Sequence, residues 1–234
     1  ELTESVNSNL PRDIKSTIAK NILAEEKDSD VAKNIFSELI NDLSSKTQRE
    51  VVNATGTVLH TNLGRSPNNI SFSGSYTNIE YDLKTLSRGK RNEYLSVLMN
   101  NLIGSKDIAF VNNNASSLFL SLKAISKSHN IQNVIISRGE IIEIGGSYRL
   151  PEIINETGLN LVEIGTTNKT KLSDYRKALE KYPNSLILKV HRSNFSINGF
   201  TEDVSIEELA ELKNKFDVFL LHDLGSGLVI DKKF

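Results

Sequence analysis

Five short polar stretches, each following an apolar run, hold most of the residues that could do chemistry. They are "NNNASS" (112–117), "RGEIIEIGG" (138–146), "TTNKT" (166–170), "HRSN" (191–194) and "HDLGSG" (222–227). Asp223 follows four apolar residues of "DVFLL", so its carboxylate is expected to be shielded from bulk water. A shielded carboxylate needs donors, a cation or a proton. A protonated pyridine nitrogen would serve, as at pyridoxal phosphate sites; a helix cap or a magnesium ligand would equally explain the position. "VNNNASSLFLSL" reads as strand, polar turn and helix. Its free amides with Ser116 and Ser117 suit a phosphate, or form an asparagine cap with no ligand.

Arginines 65, 88, 91, 138 and 149 could gather around an anion, because guanidinium binds oxyanions in bidentate fashion. Each could instead be a surface residue. His60 and His191 have the residue type for proton transfer near neutral pH or for a structural hydrogen bond; His222 has no assigned role. Glu140 and Glu143 form either an acid/base pair or part of a packed segment. Gly56, Gly64, Gly145 and Gly146 are expected to permit turns.

The elements that must position these residues follow from periodicity. Residues 12–27 carry Ile14, Ile18, Ile22 and Leu23 at helical spacing, and Asp30 is expected to cap a second helix bearing Val31, Ile35, Phe36, Leu39 and Ile40. From residue 105 the pattern alternates. The runs "DIAFV", "NVIIS", "NLVEIG", "SLILKV" and "DVFLL" predict five strands, separated by helices near 115–128, 148–157, 172–182 and 205–215. "SIEEL" opens the last helix with a capping-box pattern. "NEYLSVLMNNLIG" predicts a helix, and "VVNATGTVLHTNLGRSP" a loop-rich entry. Alternation with near-continuous apolar strands implies an α/β domain with a mainly parallel sheet buried on both faces. In such sheets ligands bind beyond the carboxyl ends of the strands, where all five polar stretches fall. The expected division is a helical unit over 1–49 and an α/β domain over 50–234.

Composition narrows the function classes. The 234 residues carry a formal net charge of -1 and no cysteine, which excludes disulfides, thiolate metal sites and cysteine nucleophiles within them and gives no global pull toward nucleic acid. Residues 1–49 hold seven Lys/Arg against nine Asp/Glu. No apolar run approaches a membrane span, and no signal peptide is apparent. A cytoplasmic address and no membrane partner are expected, and no metal site is predicted.

Taken together, "VVNATGTVLHTNLGR", "NIEYDL", "RGKR", "VNNNAS", "SRGEIIEIGGSYRLPEI", "VEIGTTNKT", "KVHRSNFSINGFTEDVS" and "HDLGSG" resemble the bacterial L-seryl-tRNA(Sec) selenium transferases, in order from about residue 50 to residue 229. The resemblance implies a fold-type-I pyridoxal 5'-phosphate enzyme with a large domain like that of aspartate aminotransferase. It implies loss of the seryl hydroxyl to give an aminoacrylyl intermediate, selenium donation by selenophosphate, and a homo-oligomer acting on tRNA(Sec) charged with serine. By that resemblance Asp223 would pair with the pyridine nitrogen, with Gly225 and Gly227 letting the backbone pass the ring. Asn114, Ala115 and Ser116 would cradle the phosphate, Asn194 would bind the phenolic oxygen, and the segment from Arg138 would lie by the ring face. Arg65 would bind the selenium donor, with Arg88 and Arg91 as further candidates, and the helices of 1–49 would contact tRNA.

Two departures stand out. The family's cofactor lysine lies in a Ser-Gly-Asp-Lys stretch beyond the aspartate, and the 234 residues contain none, Lys232 and Lys233 being too close to Asp223. The chain is therefore expected to be a fragment and inactive by itself, and a sheet cut after five strands is expected to expose apolar surface and an unpaired edge, making it poorly soluble. Arg192 stands where the family usually has a small polar residue. Two rivals share parts of this pattern: an ammonia lyase acting on a phosphorylated amino-sugar acid, and a non-catalytic remnant that binds tRNA or a sister subunit.

Overall fold

A computed structural model describes residues 2–45, 50–67, 74–144, 148–225 and 227. The expected turns at Gly145 and Gly146, and Lys232 and Lys233, lie outside these residues. Contacts divide the chain into two units, Glu1–Ser71 and Phe72–Phe234. Residues 50–67 thus group with the N-terminal helices, whereas the sequence pattern changes at 49/50.

In the first unit, helices α1 (Arg12–Glu25) and α2 (Ser29–Ser44) pack through Ala19, Phe36 and Ile40, with Leu2, Val6, Leu10, Ile18 and Ile22 around them. The cap of α2 is Asp28, not Asp30. Its Oδ1 accepts the amides of Asp30 and Val31 at 2.9 and 3.1 Å, satisfying two of the helix's free donors, and Asp30 falls inside the first turn. Those amide bonds hold the Asp28 carboxyl below the usual carboxylate range. Residues 50–67 have little regular structure apart from a 3-10 turn at Thr61–Leu63.

The second unit begins with an antiparallel pair, β1 (Tyr81–Asp82) and β2 (Ser87–Arg88), then helices α3 (Glu93–Ile103) and α4 (Asn114–His129). There follow β3 (Asn133–Ser137), a 3-10 turn (Arg138–Glu140), the antiparallel pair β4 (Glu143–Ile144) and β5 (Tyr148–Arg149), and α5 (Leu150–Glu156). The last elements are β6 (Asn160–Ile164), α6 (Leu172–Lys181), β7 (Ser185–Val190), α7 (Ile206–Phe216) and β8 (Phe219–Asp223).

Strands β6, β3, β7 and β8 form one parallel sheet in that order. Alternate side chains go to opposite faces. Val134, Ile136, Leu186, Leu188 and Val190 pack with Leu118 and Leu122 of α4 and Leu150, Ile153 and Ile154 of α5. Ile135 and Ile187 pack on the other face with Tyr175 and Leu179 of α6 and Leu209 and Leu212 of α7. The α/β/α layering expected from the continuous apolar strands is therefore present. Ser205 opens α7 with a capping box, its hydroxyl accepting the Glu208 amide while Glu208 accepts the Ser205 amide.

One expected strand is not there. "DIAFV" (107–111) forms none, so the sheet has four strands and not five among the described residues. Phe110 and Val111 are exposed; β-branched and aromatic composition yields a strand only where a neighbouring edge accepts it. The helix expected from 148 starts at Leu150, because Tyr148 and Arg149 pair with β4.

Candidate functional site

From β3 the chain crosses to β6 on one side and then returns to β7 on the other, so the strand order reverses between β3 and β7. Such a reversal opens a crevice at the carboxyl ends of the strands. Glu140 lies just beyond β3, His191 to Asn194 just beyond β7, and Asp223 at the end of the neighbouring β8.

Asp223 is 7% exposed. Its Oδ1 accepts a hydrogen bond from Asn114 Nδ2 at 3.0 Å and another from the Gly225 amide at 2.9 Å. Its Oδ2 accepts none among the described residues. The backbone is fixed as well, since the His191 amide donates to the Asp223 carbonyl at 2.9 Å. Gly225 turns the chain with φ +62°, and a Cβ there would lie 2.9 Å from Ser193 Oγ. Both the left-handed backbone and the close approach require glycine.

At the start of α4, the cap is Asn113, whose Oδ1 accepts the Ser116 amide at 2.8 Å. The Ser116 amide is therefore already engaged, while Asn114 turns its side chain to Asp223 and Ala115 packs against the core of that face. Asn194 Nδ2 donates to the Glu143 carbonyl at 3.1 Å, tying the exit of β7 to β4. Arg192 pairs with Asp203 at 2.8 Å.

The arginines are dispersed. Arg88 and Arg91 both face Glu80, at 3.6 and 2.8 Å. Arg138 pairs with Glu163 and Arg149 with Glu143. Arg65 belongs to the first unit, is exposed, and has φ 64°, with its amide bonded to the His60 carbonyl. It has no ion pair among the described residues. His60 Nδ1 accepts the Asn62 amide at 3.2 Å, a structural use.

Glu140 and Glu143 are not a pair. Glu143 is on the surface with Arg149, whereas Glu140 is 2% exposed and bonds Lys189 Nζ at 2.5 Å and the Val190 amide at 3.0 Å. This ion pair escaped sequence reasoning, because its partners are 49 positions apart and Lys189 sits in a mostly apolar strand. The Tyr175 hydroxyl, from α6, is buried; burial first and the Glu140 charge second push its pKa up. Among the described residues, no three His, Cys, Asp or Glu gather as a metal site, and no helix is long and apolar enough to cross a membrane.

The parallel sheet, covered on both faces and with a buried, partly satisfied carboxylate at its carboxyl edge, places the chain among open α/β folds with a topological switch point. The model of the L-seryl-tRNA selenium transferase family (SelA) matches residues 51–233, and the chain belongs to that family. It is 36% identical over 98% of its length to an L-seryl-tRNA(Sec) selenium transferase of Sulfurimonas denitrificans, covering 52% of that protein. A Moorella thermoacetica protein of the same name is 46% identical over 78% of this chain, which covers 40% of it. The chain thus spans about half the length of the curated relatives it matches. Among solved structures, a D-glucosaminate-6-phosphate ammonia-lyase overlaps 58% of this chain and 38% of its own, with a TM-score of 0.49 and 16% identity.

Proposed function

We propose that this chain carries the aspartate wall of a pyridoxal-phosphate site in a fold-type-I enzyme that converts seryl-tRNA(Sec) to selenocysteinyl-tRNA(Sec), with selenophosphate as the selenium donor. The observation that carries the cofactor reading is the state of Asp223. One carboxylate oxygen is held by Asn114 and Gly225, and the other accepts no hydrogen bond among the described residues. A buried carboxylate so arranged fits a protonated ring nitrogen, which would supply the missing cationic donor. The cofactor, when bound, supplies an electron sink for loss of the seryl hydroxyl.

The chain's own residues then have definite tasks. Asp223 keeps a proton on the ring nitrogen, and Asn114 and Gly225 hold Asp223 in one orientation. The first turn of α4, through Asn114, Ala115 and Ser116, is the proposed phosphate cradle; with the Ser116 amide engaged by Asn113, the Asn114 and Ala115 amides and the Ser116 hydroxyl are the donors it would offer. Asn194 is proposed for the phenolic oxygen, which requires it to leave the Glu143 carbonyl. Arg65 is the proposed binder of the selenium donor's anion, and its lack of an ion pair among the described residues supports it over Arg88 and Arg91, which Glu80 already engages.

The helices of 1–49 are proposed as the tRNA-contacting part, on family membership and not on charge. A homo-oligomer in the cytoplasm completes the reading. Its support is α3, where Tyr94, Val97, Leu98 and Leu102 are all exposed, more apolar surface than a lone helix normally leaves in water.

The test is an absorbance titration of the whole chain with pyridoxal phosphate, followed by borohydride reduction and mass measurement. Reversible binding, weakened roughly tenfold or more by Asp223→Ala and leaving no reduced adduct, is the expected result; the scale is that of a lost charge-assisted hydrogen bond. Binding indifferent to Asp223→Ala would remove the cofactor reading. A filter-binding comparison of tRNA(Sec) with bulk tRNA tests the substrate separately, and equal affinity for both would reject the tRNA assignment.

A further inference from the structure

The pairing of β3 with β7 stops at Ile136 and Leu188. Beyond it β3 turns into the 3-10 segment Arg138–Glu140, yet β7 continues beside β8 as far as Val190, opposite Asp223. On the β3 side, the Val190 amide has lost its strand partner. The Glu140 side chain takes that place: Oε2 accepts the Val190 amide at 3.0 Å, and Oε1 accepts Lys189 Nζ at 2.5 Å. Both groups are sheltered, at 2% side-chain exposure for Glu140 and 12% for Lys189. The turn that delivers Glu140 has no slack, since a Cβ on Gly139 would stand 2.6 Å from the Thr167 carbonyl oxygen.

We propose that Glu140 is a positioning residue for Asp223. It extends β7 past the end of β3 with a side-chain hydrogen bond, and the residues so held, Val190 and His191, are those that fix the Asp223 backbone by register and by the His191 amide. Lys189 supplies the counter-charge that lets a carboxylate do this away from water, where an unpaired charge would be costly. The Val190 and His191 amides thus link Glu140 to the backbone of the acidic group, with no hydrogen bond between the two side chains among the described residues. The statement about geometry stands by itself; its consequence for cofactor affinity rests on the proposed function.

Two double variants isolate the acceptor. Glu140→Gln/Lys189→Met removes both charges and keeps an oxygen for the Val190 amide. Glu140→Leu/Lys189→Met removes the charges and the oxygen. Neither leaves an unpaired buried charge. Hydrogen exchange at the Val190, His191 and Ile187 amides is read by NMR, with a pyridoxal phosphate titration alongside.

In the unaltered chain the Val190 amide is expected to be protected; free exchange there overturns the proposal whether or not either variant folds. The Gln/Met variant should match the unaltered chain in exchange and cofactor affinity. The Leu/Met variant should exchange roughly tenfold faster at Val190 and His191 but not at Ile187, and bind the cofactor about tenfold more weakly, the scale on which supporting groups act. Equal behaviour of the two variants, or loosening of Ile187 to the same degree, rejects the positioning role. If the unaltered chain binds no pyridoxal phosphate, the cofactor reading fails while the exchange data still decide the role of Glu140.

Discussion

Asn114 Nδ2 donates to Asp223 Oδ1 at 3.0 Å, although the two residues are 109 positions apart in the chain. One opens a helix and the other ends the last described strand, and the parallel sheet brings both to the same edge. The bond orients a carboxylate that, among the described residues, is otherwise held on its side chain only by the Gly225 amide.

Replacing Asn114 separates orientation from charge. Asn114→Ala removes one donor to a buried carboxylate and should cost about 1.5–3 kcal/mol, the range for hydrogen bonds to charged groups. Asn114→Asp should cost more at neutral pH, because two carboxylates then share one site and one must take up a proton. Urea unfolding at neutral pH and near the carboxylate range reads the difference, which should narrow as the pH falls. A pH-independent gap would show that the Asn114 side chain is not facing a charged partner.

At Gly225 two penalties act together and can be told apart. Gly225→Ala forces an L side chain to φ +62°, at about 1–2 kcal/mol, and adds a Cβ 2.9 Å from Ser193 Oγ and 3.0 Å from Ser193 Cβ. Ser193→Gly in the same chain should recover the steric part and leave the backbone part. Chemical denaturation of the two single variants and the double closes the cycle. Full recovery in the double variant would mean that the backbone conformation imposes no strain.

The layering was readable because "NVIIS" and "SLILKV" are apolar on both faces, which only a sheet covered by helices on each side explains. The burial of Asp223 was readable because the residue closes an apolar run. "DIAFV" has the same composition and forms no strand, since whether an edge accepts it is a property of the whole sheet. The Asp28 cap was missed by two residues because Asp28, Ser29 and Asp30 are all good caps, and only backbone geometry chooses among them. Neither the bond of Asn114 to Asp223 nor the bonds of Glu140 to Lys189 and Val190 is legible in the sequence. Their partners lie far along the chain, where local pattern carries no information.

Phe36 tests the independence of the two units. It is fully buried, and with Ala19 and Ile40 it forms the centre of the N-terminal helices. Phe36→Ala should cost about 3–5 kcal/mol there, enough to unfold a core with so few buried side chains. Far-ultraviolet circular dichroism should lose the helical signal of α1 and α2, while exchange protection of Ile135 and Ile187 stays unchanged. Selective tRNA binding, where present, should disappear with the helices. Loss of sheet protection in the same variant would show that the units fold as one.

His222 supplies a pH dependence whose sign can be worked out. Partial burial, and then the Lys189 ammonium opposite it on β7, lower its pKa from the ordinary histidine value; Glu140 and Asp223 oppose the shift, and His191 adds to it. The folded chain therefore favours neutral His222, and in the window below the unfolded value of about 6.5 the unfolded chain binds more protons. Stability from this group is complete above that value and is lost as the pH falls through the lower folded value. His222→Gln should remove that loss. Melting temperatures of both chains between about pH 7.5 and pH 5 should show the unaltered chain falling more steeply, by a small amount because the ring is largely solvated. Parallel slopes, or a steeper fall in the variant, would mean that the neutral ring is not the form the fold prefers.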